Sequence, residues 1–229
     1  MNLLLLFESD RRGDVFVVAD HRATHVRAVL GKGVGDTLKV GLVDGPVGVA
    51  TIVDEALTLS VAWSEVPPRP TTVLIVAVPR PKSLKKLLPE VTALGVDTIV
   101  LVRTWRTDKA YLGSPLLEPD GYRPLLVEGL MQARDTHVPN VIVEPLFKPF
   151  VEDRAAALDG PAVVLHPGAP THLRATPARV IAIGPEGGFT DYEVEAFERA
   201  GFERAHLGPR VLRVETAAVA ALAVNAAPR

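Results

Sequence analysis

Residues 183–190 read IGPEGGFT, set between an apolar run from Val180 to Ile183 and an acidic amphipathic stretch that opens at Asp191. The apolar run has the composition of a buried strand, and Gly184-Pro185 ends it because proline lacks the amide that a β-ladder needs. Thr190 followed by Glu193 spells a capping box: the threonine hydroxyl accepts from the Glu193 amide while the Glu193 carboxylate accepts from the Thr190 amide. A helix therefore starts at 191 with its own donors satisfied. Asp191, Glu193 and Glu195 suit the positive end of that helix and repel a phosphate. The glycine spacing, G-x-x-G-G with no GK[ST], fits neither a dinucleotide fingerprint nor a P-loop. On its own the stretch reads as a plain turn, or as a corner where bare backbone and Glu186 meet a neutral or cationic ligand such as an adenosine carrying a sulfonium.

Working outward, short Val- and Ile-rich runs alternate with helical patterns from residue 71 onward. Strands are expected over 73–78, 98–102, 141–143, 162–165, 180–183 and 205–207, and helices over 83–94, 115–133, 150–158, 191–200 and 215–227. Runs apolar on both faces belong to a covered parallel sheet, so residues 71–229 form an α/β domain. Ligands of such sheets bind beyond the carboxyl ends of the strands. Three loops there combine glycine and proline: LHPGAP (165–170), IGPEGGFT (183–190) and LGPRVLRVET (207–216). In the third loop Arg210 and Arg213 precede Glu215 and Thr216, which are placed to cap or pair with them.

Residues 1–66 read differently, as period-two strands over 15–19, 37–43, 47–54 and 57–63 joined by turns such as Asp44-Gly45-Pro46. A small β-barrel is expected. The stretch VPPRP (66–70) continues neither a helix nor an interior strand, and marks the boundary.

The 229 residues carry 25 Lys+Arg against 27 Asp+Glu, a net charge of −2, which excludes a bulk polycation gripping nucleic acid by charge alone. RNA contacts must be local, and the candidates are Arg22 and Arg27 in the first domain, Arg80, Lys82, Lys85 and Lys86 after the first strand of the second, and Arg103, Arg106 and Lys109 after the next. With no cysteine, disulfides, thiolate metal sites and thiol nucleophiles are excluded. His166, a lone histidine beside proline, is read as a backbone anchor, and no metal is expected. The four-leucine run in MNLLLLFESD is too short for a signal peptide and no run reaches membrane-spanning length, so a soluble, cytoplasmic protein is expected. Three asparagines, one glutamine and 20 prolines fit a heat-adapted protein, as they also fit the codon bias of a GC-rich genome.

With these loops in order, LHP (165–167), IGPEGGFTDYE (183–193) and LGPRVLRVETA (207–217), the sequence resembles the RsmE family of 16S ribosomal RNA methyltransferases in the SPOUT superfamily. HVRAVLGKGVGDTLKVGLVDG (25–45) is similar to that family's PUA-like barrel, so the resemblance spans nearly the whole chain. It departs where Gly31 replaces an arginine, where the K-x-x-E-L-G segment becomes Glu90 to Gly95, and where E-Q-x-x-R survives only within Met131 to Asp135. The resemblance implies a PUA-like β-barrel, an α/β domain with a C-terminal trefoil knot, a homodimer, S-adenosyl-L-methionine as cofactor, and methyl transfer to N3 of a uridine in 16S rRNA of the small ribosomal subunit. It implies cofactor contacts at Leu165, His166, Pro167, Gly184, Pro185, Glu186, Gly187, Gly188, Leu207, Gly208, Arg210 and Leu212. Arg213 and Arg210 are read as stabilising the uridine anion, and Glu215 as a base or, preferably, an orienter of the arginines. Two other readings stay open: methylation of a ribose 2′-hydroxyl or another base, and an RNA-binding assembly protein without catalysis.

Overall fold

The computed structural model describes residues 2–226, which divide into two compact units. The first unit holds the chain up to Arg69 together with Val127–Val138, and the second holds Pro70–Leu126 and the chain from Pro139 onward. The division after Arg69 lies inside the proline-rich stretch. Residues 127–138, expected within the second domain, are instead part of the first unit.

In the first unit the strands are β1 (Leu4–Leu6), β2 (Arg11–Arg12), β3 (Val15–Val17), β4 (Thr37–Leu42), β5 (Val47–Ile52) and β6 (Thr58–Trp63), in the sheet order β1-β4-β5-β6-β3-β2. All pairs are antiparallel except β1 with β4. Phe16, Val40, Ala50 and Leu59 face a common core, as period two requires. Leu3 and Leu5 point the other way, onto Leu130, Val127 and Met131. The Leu run thus serves as a strand buried on both sides. Gly41 lets Thr136 approach: a Cβ there would lie 2.5 Å from the threonine methyl.

A helix that the alternating pattern does not announce, α1 (His21–Ala28), follows the Asp20 cap. Its signal is polar. Arg22 is only 4% exposed; it donates to both oxygens of Asp10 at 2.8 Å, to the Leu5 carbonyl at 2.7 Å and to Asp20. Arg22 is therefore corrected from an RNA contact to a structural ion pair, because its guanidinium is enclosed and its donors are used. Breaking a buried pair of this kind costs about 3–5 kcal/mol, since the surviving charge stays buried. Arg27, by contrast, is exposed and donates to the Glu55 carbonyl.

The second unit is built on seven parallel strands: β7 (Thr72–Ala77), β8 (Val96–Val102), β9 (Asn140–Glu144), β10 (Ala162–Leu165), β11 (Thr171–His172), β12 (Val180–Ile183) and β13 (Glu203–His206), ordered β11-β13-β10-β12-β7-β8-β9. Alternate residues Leu74, Val76, Ile99, Leu101 and Ile181 are as buried as Ile75, Val100, Val180 and Ala182, so both faces are covered. The helices are α2 (Pro81–Ala93), α3 (Pro119–Ala133), whose residues from Val127 onward belong to the first unit, the single turn α4 (Phe147–Pro149), α5 (Asp191–Arg199) and α6 (Val214–Ala226). Helices α2 and α6 pack together and against β8 and β12, while Phe197 of α5 is fully buried among Phe147, Phe189 and Phe202. The helix expected over 150–158 is a π turn (Phe150–Arg154) followed by a 3-10 turn (Ala155–Ala157). Residue 227, the expected end of α6, lies outside the described residues.

Burial raises the Asp20 carboxyl, but hydrogen bonds from the Arg22 side chain and amide outweigh that and hold it below the ordinary aspartate range. A lowered carboxylate pKa contributes stability that is present above the unfolded value and is lost as pH falls through the folded one. Asp20→Asn keeps a capping oxygen and removes the charge. Its stability deficit in denaturant titrations is expected at pH 7 and should vanish on acidification below the folded Asp20 pKa; a deficit constant with pH would refute the charge argument.

Candidate active site

Because all seven strands run the same way, β10, β12 and β13 deliver their following loops to one edge of the sheet. From β10 the chain goes to the edge strand β11, then forms β12 on one side of β10 and β13 on the other, between β10 and β11. That reversal is a topological switch point, where open α/β sheets leave a crevice. A cleft of about 260 Å³ opens there.

Its walls are the three loops singled out in the sequence. All twelve positions expected to touch a cofactor line it: Leu165 to Pro167, Gly184 to Gly188, Leu207, Gly208, Arg210 and Leu212. Ile183, Phe189, Val211, Val214 and Ala217 add apolar surface, and His206 and Arg106 line it too. Val211 is 84% exposed, a large aliphatic side chain turned outward on the third loop.

The local conformations explain the residue types. A Cβ on Gly184 would sit 2.8 Å from the Phe189 nitrogen and 3.1 Å from the Gly188 carbonyl carbon, so the corner closes only on glycine. Gly188 and Gly208 have φ of 72° and 115°, in or beside the left-handed region that side chains avoid. The Gly188 amide donates to the Pro185 carbonyl at 2.8 Å, closing the turn. His166 and His206 each accept a backbone N–H through Nδ1, from Gly168 at 3.2 Å and Gly208 at 2.9 Å. Both are anchors of their loops, the role the sequence suggests for His166. No cluster of three metal-ligating side chains occurs among the described residues.

The capping box forms as the sequence spells it. Glu193 Oε2 accepts from the Thr190 amide at 2.8 Å and from its hydroxyl at 3.0 Å, and the Glu193 amide donates back to that hydroxyl at 3.3 Å. Its other oxygen accepts the Trp105 amide at 2.7 Å, a contact across 88 residues that sequence does not announce. Glu186 accepts the Arg80 amide at 3.1 Å, tying the loop after β12 to the one after β7.

The arginines divide. Arg106, read from sequence as an RNA contact, donates to the Gly187 carbonyl at 2.5 Å and belongs to the cleft wall. Arg210 lines the cleft and Arg213 does not; both are exposed, and neither side chain makes an ion pair among the described residues. Glu215 is corrected as their orienter: it pairs with neither, and its Oε2 is buried without a hydrogen-bond partner. Lys82, Lys85 and Lys86 lie on the outer side of α2, opposite buried Leu84, Leu87 and Leu88, while Arg80 and Lys109 are exposed and Arg103 is half-buried.

Comparison with known proteins agrees with this architecture. The sequence pattern of the RNA methyltransferase domain matches residues 67–226, so fold and cleft together define a domain of that class. Ribosomal RNA small subunit methyltransferase E of Treponema pallidum is 31% identical over 218 residues, covering 90% of this chain and 82% of that protein. The chain belongs to the ribosomal RNA small subunit methyltransferase E (RsmE) family. Among solved structures, the Neisseria gonorrhoeae methyltransferase E bound to S-adenosyl methionine is 20% identical, with a TM-score of 0.77 over 97% of this chain and 95% of that one. A Legionella pneumophila protein solved with bound SAM gives 0.75 at 24% identity over 97% and 96%. Both share the fold.

Alanine at Gly184 meets backbone, whereas at Gly187 it meets the flexible Arg106 side chain at 3.1 Å. Gly184→Ala is expected to cost about 1–3 kcal/mol of stability and Gly187→Ala well under that, as measured by thermal unfolding. Equal costs would contradict the closed corner.

Proposed function

We propose that this chain is an S-adenosylmethionine-dependent enzyme that methylates N3 of a uridine in 16S rRNA of the small ribosomal subunit. The observation that carries this reading is the convergence of three glycine-proline loops, from adjacent parallel strands, on one cleft. The cleft suits the cofactor chemically. Apolar walls at Leu165, Ile183, Leu207 and Leu212 suit a purine, and bare backbone at Gly184, Gly187 and Gly208 suits its hydrogen-bonding edge. Glu186 on one side and Arg106 and Arg210 on the other supply both signs of charge for a ligand that carries both. When bound, the sulfonium supplies an electrophilic methyl group.

N3 of uridine must lose its imide proton before it can act as a nucleophile, which leaves negative charge on O2 and O4. Arg213 and Arg210, unpaired among the described residues, are the groups we assign to stabilise that charge. Arginine stays protonated at neutral pH and so cannot take the proton. Glu215, whose Oε2 lacks a partner, is the carboxylate on this segment left to accept it. The return of the chain from β13 to α6, which packs back on β12, supports reading the C-terminal segment as a trefoil knot. We also take the six-stranded unit as a PUA-like barrel that contacts RNA, the enzyme as a cytoplasmic homodimer, and the exposed Arg80, Lys82, Lys85 and Lys86 as phosphate contacts with Arg27, Arg103 and Lys109.

Mass-spectrometric mapping of methylated nucleosides in 16S rRNA, from cells with and without the protein, tests the activity: loss of one N3-methyluridine is expected. Arg213→Ala should lower methyl transfer by about 10²–10³-fold with cofactor affinity retained by calorimetry; near-normal turnover would remove Arg213 from the mechanism. Affinity for small-subunit RNA should also fall steeply between about 50 and 200 mM salt if phosphate contacts dominate, and a flat response would count against the basic patches.

A further inference from the structure

Beside the cleft lies a second cavity, of about 460 Å³, lined by Trp105, Phe147, Lys148, Thr190, Tyr192 and Glu193. Its surface is mostly apolar, and two of its rings are turned to solvent: Trp105 is 85% exposed and Tyr192 51%. We infer that this cavity takes an unpaired nucleobase of the RNA substrate, stacked against Trp105 or Tyr192, next to the nucleotide whose base enters the cleft. The inference rests on the RNA methyltransferase reading above.

The indole is displayed by a fixed support. Thr104 and Thr107, on either side of it, are buried and hydrogen-bonded hydroxyl to hydroxyl at 2.9 Å, and the Thr107 amide donates to the Thr104 carbonyl at 3.2 Å. The Trp105 amide is held by the buried Glu193 carboxylate. The two threonines and the Trp105 amide attach inward, while the indole and the neighbouring Arg106 side chain are exposed. A rigid exposed ring loses little conformational freedom on stacking, and base stacking on such rings tolerates any base.

Continuity with the cleft selects RNA as occupant. Trp105 lines the aromatic cavity and its neighbour Arg106 lines the cleft; Phe189 lines the cleft and its neighbour Thr190 lines the cavity. The two spaces therefore share a wall two residues thick in sequence. Arg103, Arg106 and Lys109 lie on the segment that carries the indole, and Lys148 stands in the cavity wall. The guanidinium of Arg199 sits 5.8 Å from the Tyr192 ring centre. Lys148 and Arg199 are loosely balanced by Glu152 and Glu195, at 3.9 and 3.7 Å, and Asp191 is exposed nearby, so recognition here is by ring stacking more than by charge. The Glu193 charge is taken up by three donors and does not confront a phosphate.

The chain has two tryptophans, so Trp63→Phe, which keeps an aromatic ring beside Phe16, leaves Trp105 as the sole indole reporter. Titrating this protein with single-stranded and duplex RNA of the same sequence should quench Trp105 emission saturably with the single strand only. Trp105→Ala should weaken single-strand affinity about tenfold and Trp105→Phe should restore most of it, with cofactor affinity unchanged in both. Absence of quenching, equal quenching by duplex, or unaltered RNA affinity in Trp105→Ala overturns the inference. So does a Trp105→Ala variant that changes only its oligomeric state, which would make the cavity a contact between copies. If the wild-type protein binds no S-adenosylmethionine and leaves rRNA unmethylated, the enzymatic reading falls instead, while the quenching result still decides the nucleobase site.

Discussion

One buried carboxylate holds the site together. Glu193 caps its own helix through Thr190 and reaches across to the Trp105 amide, so the start of α5, the glycine corner before it and the turn after β8 are joined at a single group. A carboxylate in that position must have its lone pairs satisfied, or its burial would cost several kcal/mol. The three donors it meets are the means by which a local capping motif becomes a long-range clamp. Without it, the Trp105 amide would lose its tie to the start of α5, and only the Arg106 side chain, on the Gly187 carbonyl, would join the two segments.

The sheet supplies the second constraint. Parallel strands bring every following loop to one edge, and the order β13-β10-β12 makes the three glycine-proline loops neighbours although residues 171–182 and 191–206 separate them in sequence. Glycine and proline then act as complementary devices. Proline ends the ladder, and glycine permits backbone to approach backbone at Gly184 and to take positive φ at Gly188 and Gly208. The outcome is a cleft in which bare backbone lies among apolar side chains, with Glu186, Arg106 and Arg210 in its wall. Such a surface recognises the shape and hydrogen-bonding edge of a ligand without needing a high local charge, which agrees with the balanced net charge of the protein.

Side chains of similar sequence character serve different ends. Arg22 and Arg27 lie about 1.4 turns apart on α1, yet one is enclosed by Asp10 and Asp20 and the other faces solvent. Arg103 and Arg106 are likewise close in sequence, and only the second borders the cleft. A basic residue is ambiguous in sequence because its long stem reaches either a buried acid or a solvent-facing anion, and only the position of its partner decides which.

What the residues declare by themselves is what depends on short-range chemistry. The Thr190–Glu193 capping box, the strand-ending prolines, the Val- and Ile-rich runs and the three loops of the cleft are all legible, since each rests on the preferences of a few adjacent residues. The polar helix α1, the strand at Leu4–Leu6 and the place of residues 127–138 in the first unit are not, because each is stabilised by partners far along the chain: Asp10 for Arg22, Val40 and its neighbours for the Leu run, and Leu3 and Leu5 for Leu130. The same holds for Glu193 and Trp105, 88 residues apart. Tertiary structure decided these, because a buried charge or an apolar face acquires its meaning only from the group that satisfies it.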